Sequence, residues 1–258
     1  MSTLNVSIVQ ADLHWHDGDA NRRHLRTMVD SIVGDTDLVV LPEMFATGFS
    51  MAAAELAETD DGESVRWMRQ VSKDLDAVVC GSLIIVDEGR FYNRLFAVKG
   101  AETLAVYDKR HLFRLADEQK TYSAGTEIVT FDIGDFRVCP MICYDLRFPV
   151  WSRNRNHYDL LLYVANWPSR RHFAWQTLLR ARAIENLSYV AGVNRVGRDG
   201  NDLPYDGGSA VVDYLGGTLA DLGDAEGVTT VSVDRTELER FRERFAFHLD
   251  ADRFTLDP

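Results

Sequence analysis

Strand-length apolar runs that follow one another without an intervening helix constrain this chain more than any other feature. The stretches 77–86, 91–98 and 103–107 are separated only by short segments carrying Asp87-Glu88-Gly89 and Lys99-Gly100, and 128–133 meets 136–142 across Gly134-Asp135. Connections this short join antiparallel neighbours, and the Gly-Asp pair predicts a tight hairpin. Elsewhere, strand-like runs at 5–11, 38–41, 160–165, 189–194, 208–213 and 228–233 alternate with helical periods at 19–33, 63–74, 150–156, 175–186 and 236–245. Leu160-Leu161-Leu162-Tyr163-Val164 is apolar throughout, as expected of a strand buried on both faces. Asp60 and Asp61 ahead of Glu63 predict the cap of the second helix. The class is α/β with mixed sheets. With no Pro/Ser-rich linker and no internal repeat, residues 1–258 read as one domain.

Composition narrows the partners. The 258 residues, 46% hydrophobic and 26% charged, suit a globular protein with a large core. A formal net charge of −12 argues against nucleic acid, which is bound by clustered Lys and Arg. No run approaches the ~18 apolar residues of a membrane span. The N-terminus lacks a basic region followed by a long apolar one, so a cytoplasmic compartment is expected. Cys80, Cys139 and Cys143 form neither a disulfide framework nor a CxxC pair. No HExxH spacing joins His14, His16, His111, His157, His172 or His248, and neither GxGxxG nor GxxxxGK occurs. No metal or phosphate site is expected.

Three short segments carry reactive side chains at strand ends. In Met141-Ile142-Cys143-Tyr144-Asp145 the thiol follows the run 136–142 and precedes a segment of helical character. A thiol at such a junction lies near backbone N–H groups and the positive end of a helix, which favours the thiolate and offers donors to an oxyanion. Cys80 and Cys139 lie inside β-rich runs and read as inert. In Leu41-Pro42-Glu43-Met44-Phe45, Pro42 ends ladder pairing and holds Glu43 at the rim of the preceding strand. Apolar neighbours there would raise the carboxyl pKa, as suits a base, although a surface loop Glu reads equally well. In Tyr107-Asp108-Lys109-Arg110-His111 the lysine reads first as part of a solvated charge cluster. A compact ammonium would also stabilise a tetrahedral intermediate. His111 is the rival base for Cys143, in a Cys–His arrangement.

Glu43, Lys109 and Cys143, in this order and these settings, resemble the nitrilase superfamily of carbon–nitrogen hydrolases. The likeness runs from Val6-Ser7-Ile8-Val9-Gln10 through the three segments to Arg180-Ala181-Arg182-Ala183-Ile184-Glu185-Asn186. Glu43-Met44-Phe45-Ala46-Thr47-Gly48-Phe49-Ser50-Met51, Ala165-Asn166-Trp167-Pro168, Val193-Asn194-Arg195-Val196-Gly197 and Phe241-Arg242-Glu243-Arg244-Phe245 look like its omega-amidase branch. That branch hydrolyses the terminal amide of 2-oxoglutaramate and 2-oxosuccinamate. The resemblance implies a four-layer αββα sandwich, no metal or organic cofactor, and a homodimer formed through helices flanking the site and the tail from about residue 234 to 258. It makes Glu43 the base, Lys109 the oxyanion holder and Cys143 the nucleophile. Glu118 matches a second glutamate that orients Lys109 or the incoming water, although Ala116-Asp117 before it departs from the commoner apolar pair. A small anionic substrate in so acidic a chain needs local cations: Arg147, with Arg170 or Arg171, are candidates to hold its carboxylate, and Phe45, Trp167 and Tyr144 to wall it. Alternatives are another amidase, N-carbamoyl hydrolase or nitrilase on the same fold, and a non-catalytic scaffold.

Overall fold

The computed structural model describes residues 2–155 and 157–256. Its strands are β1 (Thr3–Gln10), β2 (Leu38–Val40), β3 (Val78–Asp87), β4 (Arg90–Lys99), β5 (Glu102–Asp108), β6 (Phe131–Ile133), β7 (Phe136–Ile142), β8 (Leu160–Val164), β9 (Tyr189–Val193), β10 (Val196–Arg198), β11 (Pro204–Asp206), β12 (Ala210–Val212), β13 (Thr218–Asp221) and β14 (Gly227–Asp234). The helices are α1 (Gly18–Val29), α2 (Ala53–Leu56), α3 (Glu63–Leu75), α4 (His172–Asn186) and α5 (Arg235–Arg244). Among the described residues no helix is long and apolar enough to cross a membrane.

Two mixed sheets form, in the orders β14-β1-β2-β3-β4-β5 and β13-β12-β9-β8-β7-β6. In each, three central strands are parallel and the outer pairs antiparallel. The helix-free stretches behave as expected: β3, β4 and β5 are successive antiparallel neighbours, and Ile133 pairs with Phe136 across Gly134-Asp135. Gly134 has φ 57°, a conformation glycine adopts without a Cβ penalty. β8 is parallel to a neighbour on each side and buried along its length.

Side-chain alternation sorts the faces. Val6, Ile8, Leu38, Val40, Leu95 and Ala97 of the first sheet pack in one cluster with Val138, Met141, Leu161 and Tyr163 of the second. The opposite face of the first sheet, through Val9, Val39, Val79 and Phe96, lies under α1 and α3. Trp175, Leu179 and Ala183 of α4 cover the outer side of the second sheet. The layers are thus helix, sheet, sheet, helix. α3 is fixed by its apolar stripe: Val65, Met68 and Val71 are fully buried, each contributing about 1.5–3 kcal/mol relative to exposure.

Three local expectations are corrected. α3 is capped neither by Asp60 nor by Asp61; Asp60 binds Arg94 and Asp61 binds Arg69, while Glu58 accepts the Ser64 N–H at 2.7 Å. Residues 150–155 form turns rather than a helix, and Asn156 lies outside the described residues. α1 stops at Val29, four residues early, and leaves Val33 exposed.

Candidate active site

The chain leaves β2 at Val40, and Pro42, which has no N–H, cannot continue the ladder. A turn follows, with Met44 at φ 44° and its N–H held by Ser82 Oγ at 2.9 Å. The turn drives Glu43 inward until it is fully buried. Its Oε1 accepts from Asn93 Nδ2 at 2.7 Å and Lys109 Nζ at 3.0 Å, and its Oε2 from the Asn166 N–H at 2.7 Å. Apolar neighbours surround the backbone here, but the carboxylate itself meets three donors.

Lys109 follows β5 and is clamped through its backbone. Its N–H donates to Asn93 O and its carbonyl accepts from Gly125 N, both at 3.0 Å. Its ammonium is buried and lies 3.0 Å from Glu43 Oε1 and 2.9 and 3.0 Å from the two Glu118 oxygens. Burial alone would lower the lysine pKa, but Glu118 and Glu43 outweigh it and the net direction is up. Both carboxylates thus favour the ammonium form of Lys109. Glu118 opens a 3-10 turn after Asp117, which sits at φ 56°, and its Oε2 accepts the Phe113 N–H. Burial holds the Glu118 carboxyl above the usual range, opposed by Lys109 and assisted by the Glu43 charge.

Cys143 begins a five-residue 3-10 helix directly after β7. Its φ of 42° is one that non-glycine residues rarely adopt, at a cost of about 1–3 kcal/mol. The strain places Sγ 3.9 Å from Asn166 O, on the side of Glu43. The expected thiolate is not what this environment favours. Burial first, then the Glu43 and Glu118 charges, push the thiol well up, and Lys109 pulls it down. One short 3-10 helix supplies too little dipole to reverse that balance. Cys80 and Cys139, also raised by burial, sit within strands as expected.

Lys109 and Cys143 reach the floor of a cavity of about 540 Å³, with Glu43 and Glu118 packed behind them. Phe49, Phe113, Tyr144, Trp167 and Tyr205 wall it. Arg147, Arg170 and Arg171 stand on one side. Arg147 stacks over Trp167 at 4.9 Å and Arg171 over Phe113 at 5.0 Å. Arg171 is lowered by burial and by the two neighbouring arginines, with Cys143 acting the other way. Among the described residues none of the three has a carboxylate within ion-pair distance. No group of three or more His, Cys, Asp or Glu among the described residues is placed to hold a metal ion.

Residues 5–243 match the carbon-nitrogen hydrolase family. The chain belongs to that family. The Omega-amidase YafV of Escherichia coli (strain K12) is 45% identical over 258 residues, 99% of this chain and 100% of that one. The 2-oxoglutaramate amidase of Bacillus subtilis (strain 168) is 32% identical over 92% of this chain and 93% of its own. Among solved structures, XC1258 of Xanthomonas campestris has a TM-score of 0.97 at 44% identity, with 100% of both chains covered. It is described as a CN-hydrolase superfamily protein with an arsenic adduct in the active site. The two mixed sheets between helices are the nitrilase arrangement.

In this carbon–nitrogen hydrolase the four residues expected to act together, Glu43, Lys109, Glu118 and Cys143, do converge. Tyr144, Arg147 and Trp167 line the cavity, but Phe45 does not. Beyond the turn at Met44 its ring points into the core, against Gly81 and Trp67, and Phe49 takes the wall instead. His111 does have an acidic partner, Asp145 at 2.7 Å, but its ring stacks on Phe148 and lies outside the cavity. Asn93 and Asn166, which donate to Glu43, are the residues sequence reasoning missed. The signal for Asn93 was a polar pair, Asn93-Arg94, inside an otherwise apolar strand.

Proposed function

We propose that this protein is an omega-amidase that hydrolyses the terminal amide of 2-oxoglutaramate or 2-oxosuccinamate through a thioester on Cys143. One observation carries the reading: a Glu–Lys–Cys cluster at the floor of a cavity lined by three arginines that, among the described residues, make no ion pair with a carboxylate. The first half suits amide hydrolysis and the second a carboxylate-bearing substrate. Identity to the two amidases named above supports the same substrate class.

In the proposed reaction the resting thiol faces Asn166 O at 3.9 Å, and Glu43, which accepts the N–H of the same Asn166, is the neighbouring carboxylate. Glu43 takes the Cys143 proton as sulfur bonds to the amide carbon. The carbonyl π electrons move to oxygen, where the Lys109 ammonium and the N–H of Tyr144 stabilise the oxyanion. That N–H belongs to the first turn of its 3-10 helix, where backbone donors lack intrahelical partners. Collapse breaks the C–N bond as Glu43 returns its proton to nitrogen, and ammonia leaves. Water then gives a proton to Glu43 and adds to the thioester carbon. The second collapse expels the thiolate, which recovers the proton, and releases the 2-oxo dicarboxylate. Glu118 keeps Lys109 beside Glu43 and balances its charge. Arg147, with Arg171, holds the far carboxylate.

Ammonia release from 2-oxoglutaramate, glutamine and N-carbamoyl-β-alanine tests this directly. Preference for the first is expected; preference for the third would make the enzyme an N-carbamoyl hydrolase. The resemblance further supports one domain acting as a cytoplasmic homodimer through α4 and the C-terminal tail. Phe173 and Ile184 of α4, with Leu215, Phe247 and Leu249, are exposed apolar side chains that such a contact would cover. Sedimentation as a monomer would remove the dimer, and recovery from a membrane fraction the compartment.

A further inference from the structure

The lysine and cysteine segments each carry polar residues that this mechanism leaves unused: Tyr107 and His111 in one, Asp145 in the other. The fold brings all three together. Asp145 is fully buried. Its Oδ2 accepts from the Tyr107 hydroxyl at 2.7 Å and the Ile142 N–H at 3.1 Å. Its Oδ1 accepts from the His111 N–H at 2.9 Å and lies 2.7 Å from His111 Nδ1. Tyr107 and His111 stand two residues to either side of Lys109, and Ile142 directly precedes Cys143. A single carboxylate therefore grips both shoulders of the lysine and the residue before the nucleophile, although these segments lie 34 and 38 residues apart. The grip is itself braced. Trp151 Nε1 donates to the Tyr107 oxygen at 3.0 Å, and the His111 ring lies flat on Phe148 at 3.6 Å between centroids.

With four donors on two oxygens, Asp145 has no lone pair aimed at the cavity and is no rival to Glu43 as a base. Its burial would be costly without such partners. All of them belong to the two strand ends whose separation decides whether Lys109 can meet an oxyanion formed at Cys143. We propose that Asp145 is a positioning residue that fixes the Lys109 ammonium relative to the Cys143 thiol. The inference rests on the roles proposed above for Lys109 and Cys143.

Asp145→Asn keeps the size but presents an NH₂ group to one pair of donors, so that the N–H of His111 or of Ile142 loses its acceptor. For whichever amide the wild-type enzyme turns over, kcat should fall about a hundredfold while KM changes less than about threefold, since the cavity walls are untouched. Tyr107→Phe removes one donor, retains the carboxylate, and should lower kcat about tenfold in the same pattern; it decides the matter if Asp145→Asn fails to fold. The pH midpoint for alkylation of Cys143 by iodoacetamide, followed by intact mass, should rise in both variants as Lys109 drifts from the thiol. A purely structural Asp145 would lower Tm and leave kcat and the alkylation midpoint at wild-type values, and that result overturns the proposal. Turnover that dies with Cys143→Ala yet survives both variants removes the positioning role alone. Turnover that survives Cys143→Ala removes the nucleophile beneath it.

Discussion

The surroundings of Cys143 favour its thiol form, and its charged neighbours divide cleanly by sign. Glu43 and Glu118 raise its pKa on top of burial, and Lys109 lowers it. This balance favours neutral sulfur in the free enzyme, and in the proposed reaction Lys109 contributes most once an oxyanion forms beside it. Removing a negative neighbour should therefore ease ionisation and removing the cation should hinder it. Glu43→Gln is expected to move the alkylation midpoint of Cys143 down in pH and Lys109→Met to move it up; shifts of the same sign would contradict this charge arrangement. Cys143→Ala should lower ammonia release by at least about a thousandfold with an unchanged circular dichroism spectrum. A trapped acyl adduct located on Cys80 or Cys139 by mass spectrometry would reassign the nucleophile. At this scale the sequence was most legible where a reactive side chain ends a strand. It was least legible where the work falls to a backbone group, because the Asn166 N–H that binds Glu43 has no residue signature. Phe45 was expected at the cavity wall, but the positive φ of Met44 turns the chain between it and Glu43.

At the scale of elements, the site depends on how tightly its strand ends are braced. Gly125 donates to the Lys109 carbonyl, and a Cβ there would lie 2.2 Å from Asp108 O, a backbone atom that cannot swing aside. Gly125→Ala should cost about 1–3 kcal/mol of stability, seen as a lower Tm by calorimetry. It should also depress kcat, since the lysine strand end must shift; an unchanged Tm and kcat would show that the loop yields freely. The same bracing explains the helix that does not form at 150–155. Trp151 is drawn to the Tyr107 hydroxyl and Asn154 to the carbonyls of Tyr158 and Asn186. Tertiary partners for those side chains outweigh a weak helical period behind Pro149. Long strands such as β3 and β4 declared themselves through apolar runs bounded by turns. β10 and β11, three residues each, are too short to show a period.

The whole molecule carries a formal charge of −12 yet gathers three arginines at one cavity. The global field repels an anionic substrate, so those arginines must do more than offset one carboxylate. Arg147→Met is expected to raise KM for 2-oxoglutaramate about tenfold with little effect on an uncharged amide. Equal increases for both would exclude a carboxylate role. The layered class and mixed sheets were readable from strand spacing, whereas the pairing of one sheet with the other rests on contacts far apart in sequence. The Asn166 N–H and Glu43 are 123 residues apart and follow strands of different sheets. Glu43 follows a strand of the first sheet and Cys143 a strand of the second, so one sheet alone cannot bring the two together. The catalytic set is therefore complete only when the two sheets are docked, because neither half alone holds both Glu43 and Cys143.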